Sequence, residues 1–198
     1  MKQEDRRQHT IQLLLQSTKV LIAEKGCHAF TLKDIMDKSG LSKGAIFHYV
    51  KSKDEIFAWV LQERLEETNE RFMNEVKQES PSFEGPMQQI VGRFASLSDT
   101  NDVTNKVLMY LLGKEDQPAV AQALNQFYEQ SVHFAKLWIT TGQQHAVISA
   151  AVDADKTAEL FVLLSLGIRM RTSMPQVSSA FHIQDYSAWM TQILKPPQ

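Results

Sequence analysis

The chain has 198 residues, 43% of them hydrophobic and 22% charged, with a formal net charge of −2 and a single cysteine, Cys27. One cysteine excludes an internal disulfide and a thiolate zinc cluster, and no apolar run approaches the roughly 18 residues needed to cross a bilayer. The start MKQEDRRQHT has no apolar stretch behind its charges and is not a secretory signal, so a cytoplasmic protein without a membrane partner is expected.

Charge is uneven along the chain. Residues 1–60 hold ten Lys/Arg and seven Asp/Glu, whereas the remainder hold eleven and sixteen. A basic N-terminal segment on an otherwise acidic chain suits a surface that meets a polyanion. Free cysteine is most often a small buried residue, which is the expectation for Cys27, with redox sensing as the alternative.

Helical periodicity runs through nearly every segment, and no run alternates as a strand does, so the fold is expected to be all-α. Ile11, Leu14, Leu15, Thr18 and Ile22 share one helix face, and Gly26 stops that helix. Thr31 can cap a short helix, with Asp34 three residues on in a variant of the capping box. Gly40 ends it, because glycine takes the left-handed conformation without a side-chain penalty. Ser42 caps a second short helix that reaches about Tyr49. Ser52-Lys-Asp-Glu55 then starts a long helix, broken at SPSFEGP, residues 80–86. Further helices are expected over about 86–97, 103–113, 117–141, 154–173 and 181–194, with Pro86 and Pro118 near helix starts and Gly142 and Pro175 marking ends.

Two short helices joined by SGLS form a helix-turn-helix, over about residues 31–50. Leu32, Ile35, Leu41 and Ile46 are spaced to face inward. The outer face of the second helix then carries Lys43, Gly44, Ala45, Phe47 and His48, with Tyr49 near its end. Small residues let a helix approach base edges in the major groove, and lysine donates to guanine or phosphate. Tyr49 and Lys53 suit phosphate, and the helix start at Ser52 adds backbone donors.

The segment GCHAFTLKDIMDKSGLSKGAIFHYVKSKDEIF, residues 26–57, resembles the DNA-binding domain of the TetR family of transcriptional regulators. That resemblance implies a three-helix DNA-binding domain over 1–52, joined by a long helix to a ligand-binding and dimerisation bundle over 53–198. It implies that Thr31 and Lys33 lie near the DNA backbone, that Ser42, Lys43, Gly44, Ala45, Phe47, His48 and Tyr49 belong to the recognition helix and its end, and that Lys53 clamps a phosphate. The segment departs from the family pattern in three places. Met36 stands where alanine is usual, Phe47 replaces a tyrosine and its hydroxyl, and Tyr49-Val50 replaces His-Phe.

In that family the C-terminal bundle pairs two copies through its last two long helices and encloses a small molecule. Ala158, Phe161, Ser165, Leu166 and Gly167, with Trp189, Met190 and Ile193, mix small and apolar side chains as close helix packing requires, and are expected at a homodimer interface. Met87, Phe94, Met109, Tyr110, Phe127, Phe134 and Trp138 are candidates for the lining of a pocket for a largely apolar effector. His133, Arg169 and Arg171 are polar residues on apolar-looking helices.

The chain is therefore expected to be a repressor that binds a palindromic double-stranded operator as a dimer and leaves it when a small molecule binds. A regulator governed by a protein partner, one without a ligand, and an activator are the alternatives. No glycine-rich phosphate loop, H-E-x-x-H or paired cysteine and histidine is present, and the six histidines are scattered. Neither catalysis nor a cofactor or metal is expected.

Overall fold

The computed structural model describes residues 3–76, 82–174 and 176–195. Among them every regular element is an α-helix: α1 (Gln3–Lys25), α2 (Leu32–Ser39), α3 (Lys43–Phe47), α4 (Lys53–Val76), α5 (Glu84–Leu97), α6 (Val103–Leu112), α7 (Pro118–Gln144), α8 (Ala154–Thr172) and α9 (Ile183–Leu194). The all-helical reading holds, with most ends within three residues of expectation. Residues 80 and 81 of the expected break, and Pro175, where a helix end is expected, lie outside the described residues. No described helix is long and apolar enough to cross a membrane.

The chain divides into two compact units, residues 1–64 with 101–125, and 65–100 with 126–198. In the first, α1 packs on α2 and on α6. Leu14, Ile22, Ile35, Ile46, Ile56 and Phe57 are fully buried there. The face read from the periodicity of α1 is the one that turns inward: Leu14, Leu15, Thr18 and Ile22 are buried and Ile11 is half-buried. Ser52 caps α4 by accepting from the Glu55 N–H at 3.3 Å, while the Glu55 carboxylate reaches back to the Lys51 N–H at 3.2 Å.

In the second unit α5 packs on α8 and α9. Its core gathers Met87, Phe94, Leu97, Ile139, Ile148, Ala158, Phe161, Ile168, Tyr186, Met190 and Leu194. The Phe94 and Tyr186 rings lie 4.7 Å apart between centroids. The turn after α7 is tied down by the Gln143 amide, which donates to the Ser149 and Val152 carbonyls at 3.0 and 2.8 Å. Arg171 reaches across the connection to α9, donating to Ser179 Oγ at 2.5 Å and to the Phe181 carbonyl at 2.8 Å. Its guanidinium is thus engaged in holding a loop.

Candidate nucleic-acid interface

The geometry of the turn follows from three local devices. Thr31 has extended backbone (φ −116°, ψ 172°) and its Oγ1 accepts from the Asp34 N–H at 3.4 Å. Asp34 returns the favour twice: its Oδ2 accepts from the Thr31 N–H at 2.8 Å and from the Thr31 hydroxyl at 2.7 Å. Those bonds, with Lys25 at 3.5 Å, hold the Asp34 carboxyl down at about 2. Gly40 closes α2 in the left-handed conformation, φ 69°, its N–H donating to the Met36 carbonyl at 3.0 Å. Ser42 then caps α3, accepting from the Ala45 N–H at 3.2 Å. Ile35 and Ile46, one from each helix, are fully buried and lock the pair to the core. Leu32 and Leu41 are half-buried.

Lys43, Gly44, Phe47 and His48 are exposed on the outer face of α3, with Ala45 and Tyr49 half-buried. Phe47 leaves 46% of its surface in solvent, with the Lys43 ammonium 5.6 Å above its ring. The His48 and Tyr49 rings meet edge to face at 4.9 Å. At Gly44 a Cβ would meet nothing within 4 Å. Glycine in a helix costs up to about 1 kcal/mol against alanine, and the fold itself does not require it here. A small side chain at that point leaves room for another body to come close.

Lys33 is exposed on α2. Thr31 and Ser42 spend their hydroxyls on the two caps. Lys53 differs from the rest: its ammonium points into its own unit, donating to the Cys27 carbonyl at 2.8 Å and the Phe30 carbonyl at 2.7 Å. Cys27 is 5% exposed and burial pushes its thiol up to about 11, the character of a small apolar residue rather than a reactive thiolate.

A cleft of about 560 Å³ adjoins the end of α3, lined by Glu4, Arg7, Ile11, His48, Tyr49 and Trp59. Arg7 and Trp59 lie outside the helix-turn-helix pattern that marks the other candidates. The Arg6-Arg7 pair on the same helix as Ile11 is the signal that could have drawn attention to Arg7. Arg7 is held 3.2 Å from Glu4 and remains largely exposed.

The pocket candidates do not form one group. Met109 and Tyr110 belong to the first unit, where Tyr110 packs against Phe57 at 5.1 Å and His28 at 4.8 Å. Met87 and Phe94 are in the core of the second. Also in the second unit, Phe127 is buried, Phe134 is half-buried, and Trp138 stacks on Phe72 at 4.9 Å and donates to Asn69 at 3.0 Å.

The interface candidates also separate. Phe161 and Met190 are buried within their own unit, and Ser165 bonds inward to the Tyr186 hydroxyl at 3.1 Å. Leu166 and Ile193 are half-buried, while Gly167 and Trp189 are exposed. One register away, Leu160, Leu163, Met170 and Met174 are exposed. With Gly167 they make an i, i+3, i+7 stripe along α8 and just past its end.

Residues 14–60 match the family of bacterial regulatory proteins, tetR family. The HTH-type transcriptional repressor KstR2 of Mycolicibacterium smegmatis is 30% identical over 81 residues, which is 41% of this chain and 38% of that protein. The chain matches well under half the length of its curated relatives. Among solved structures, a TetR transcription regulator from Haloarcula marismortui superposes with a TM-score of 0.69 at 19% identity, covering 94% of this chain and 97% of the other. The complex of SmeT with triclosan does so with a TM-score of 0.68 at 13% identity, covering 95% and 92%. At these identities the superpositions speak for the fold.

Proposed function

The chain belongs to the TetR family of bacterial regulatory proteins, and from that premise we propose that it is a transcriptional repressor that binds a palindromic operator as a homodimer and is released by a small molecule. The observation that carries this reading is the outer face of α3. It combines an exposed lysine, a glycine the fold does not require and a half-exposed phenylalanine, all on a turn fixed by two caps and a left-handed glycine. Such a face offers Phe47 to base edges and Lys43, His48 and Tyr49 to phosphate. Lys33 would add a backbone contact from α2.

Two copies would pair through the apolar stripe of α8, Leu160, Leu163, Gly167 and Met170, with Trp189 of α9 beside it. Leu163 and Met170 are 51% and 52% exposed, and a contiguous apolar stripe of that kind is ordinarily covered. A two-fold axis along it would present two recognition helices to successive turns of a duplex.

The effector would bind in the second unit, where Phe127, Phe134 and Trp138 of α7 and Met87 and Phe94 of α5 supply apolar and aromatic surface. The triclosan complex of SmeT, a protein of the same fold, supports an apolar ligand as the class. Release requires that the ligand bind the non-operator conformation more tightly, typically by about 1–3 kcal/mol of coupling.

Selection of bound fragments from the source genome tests the reading directly. A specific palindromic duplex should be recovered. Lys43→Ala should lower the slope of log affinity against log salt by about one unit, and Lys43→Ala with Tyr49→Ala should abolish retention. A doubly substituted chain that still holds the duplex at low salt sinks the proposal.

A further inference from the structure

Lys53 opens α4, a position where a cation is disfavoured. The first turn of a helix carries the positive end of its dipole, and carboxylates are what stabilise it. A lysine there that gripped only an external phosphate would keep its ammonium in solvent until DNA arrived. Here the side chain is half-buried and the ammonium is turned onto its own unit. It donates to the Cys27 and Phe30 carbonyls at 2.8 and 2.7 Å, and lies 5.0, 5.8 and 5.4 Å from the ring centroids of Phe30, Phe57 and Tyr110. Those two carbonyls lie in the connection between α1 and α2, 26 and 23 residues back along the chain. Phe30 immediately precedes the Thr31 cap.

Beside this centre the Lys114 ammonium donates to Asp54 Oδ2 at 2.7 Å and sits 4.4 Å from the Tyr110 ring. The ring of Tyr110 is therefore shared by two ammonium groups, one on α4 and one just past α6. Carbonyl dipoles and ring faces are the groups that replace water around a desolvated cation. Desolvation lowers the Lys53 pKa from its ordinary value, in keeping with that enclosure.

We propose that Lys53 is a positioning residue: its ammonium pins the α1–α2 connection to the first turn of α4 and thereby sets the direction in which α2 and the recognition helix leave the core. This replaces the external phosphate grip that the sequence suggests for Lys53. The pin is a property of the first unit alone; only its consequence for DNA rests on the proposed function.

The test uses the full chain. In the wild type, the Lys53 side-chain ammonium should give a nitrogen–proton signal that exchanges slowly with water and stays in place when duplex is added, while the Lys43 signal shifts. Lys53→Met keeps the stem and removes the charge. At matched protein concentration it should lower the thermal midpoint by about 5 °C and speed amide exchange over residues 27–34, leaving the salt slope unchanged. Three results overturn the proposal: a fast-exchanging Lys53 signal, a Lys53 signal that shifts with duplex as Lys43 does, or a Lys53→Met chain with an unmoved midpoint and a salt slope lower by about one unit. If no duplex is retained by any chain, the operator reading fails, whereas ammonium exchange and the midpoint still decide the role of Lys53.

Discussion

Asp34 shows how much a single exposed carboxylate can organise. It lies at the surface, yet two bonds from Thr31 hold it at about 2, against about 3.8 for a free side chain. A carboxyl depressed in the folded state adds stability above its unfolded pKa and loses it as pH falls through the folded value. Unfolding curves of the wild type and of Asp34→Asn should therefore differ most above about pH 4 and converge towards about pH 2. A constant gap across that range would mean the cap does not act through the charge. Tyr186 illustrates the opposite, buried case. Its hydroxyl donates to the Phe161 carbonyl at 2.8 Å, and burial pushes its pKa up to about 12. Ser165, which by sequence alone suits a partner interface, serves that same buried hydroxyl.

Among the helices, α3 is the least able to stand alone. Five residues are far below the length at which an isolated helix survives in water, so Ser42 at its start and the burial of Ile46 hold it in shape. Helix α7 shows a different kind of constraint. It continues two residues beyond Gly142, and the chain then folds back so that Ile148 packs on the glycine. A Cβ there would stand 2.5 Å from Ile148 Cδ1 and 3.2 Å from its Cβ. Gly142→Ala should accordingly cost about 1–3 kcal/mol by overpacking, despite the better helix propensity of alanine. Denaturant unfolding measures this directly, and an unchanged or raised midpoint would show that the turn yields freely.

For the molecule as a whole, the decisive surface is the outer stripe of α8. Phe161 and Ile168 face the core of their own unit, while Leu160, Leu163 and Met170 look outward. Placing Glu at both Leu163 and Met170 leaves that core untouched and puts two charges into the proposed two-fold contact. Sedimentation should then shift from dimer to monomer with helical content retained, and operator binding should weaken by much more than tenfold, since a single half-site remains. A doubly substituted chain that stays dimeric would move the interface elsewhere.

Much of this was legible in the residues. Thr31, Gly40 and Ser42 announce the ends of α2 and the start of α3, because capping chemistry is local and each cap lies within four residues of the group it satisfies. The inward face of α1 was equally clear, since Leu14, Leu15, Thr18 and Ile22 recur at the helical period. Residues whose partners are distant in sequence were not. The ammonium of Lys53 meets carbonyls more than twenty residues away, and no local pattern tells an inward lysine from an outward one. Nor could periodicity choose between Phe161 and Leu163. Helix α8 is apolar on both flanks, and only the packing of α5 and α9 against one of them decides which stripe is core and which stays exposed.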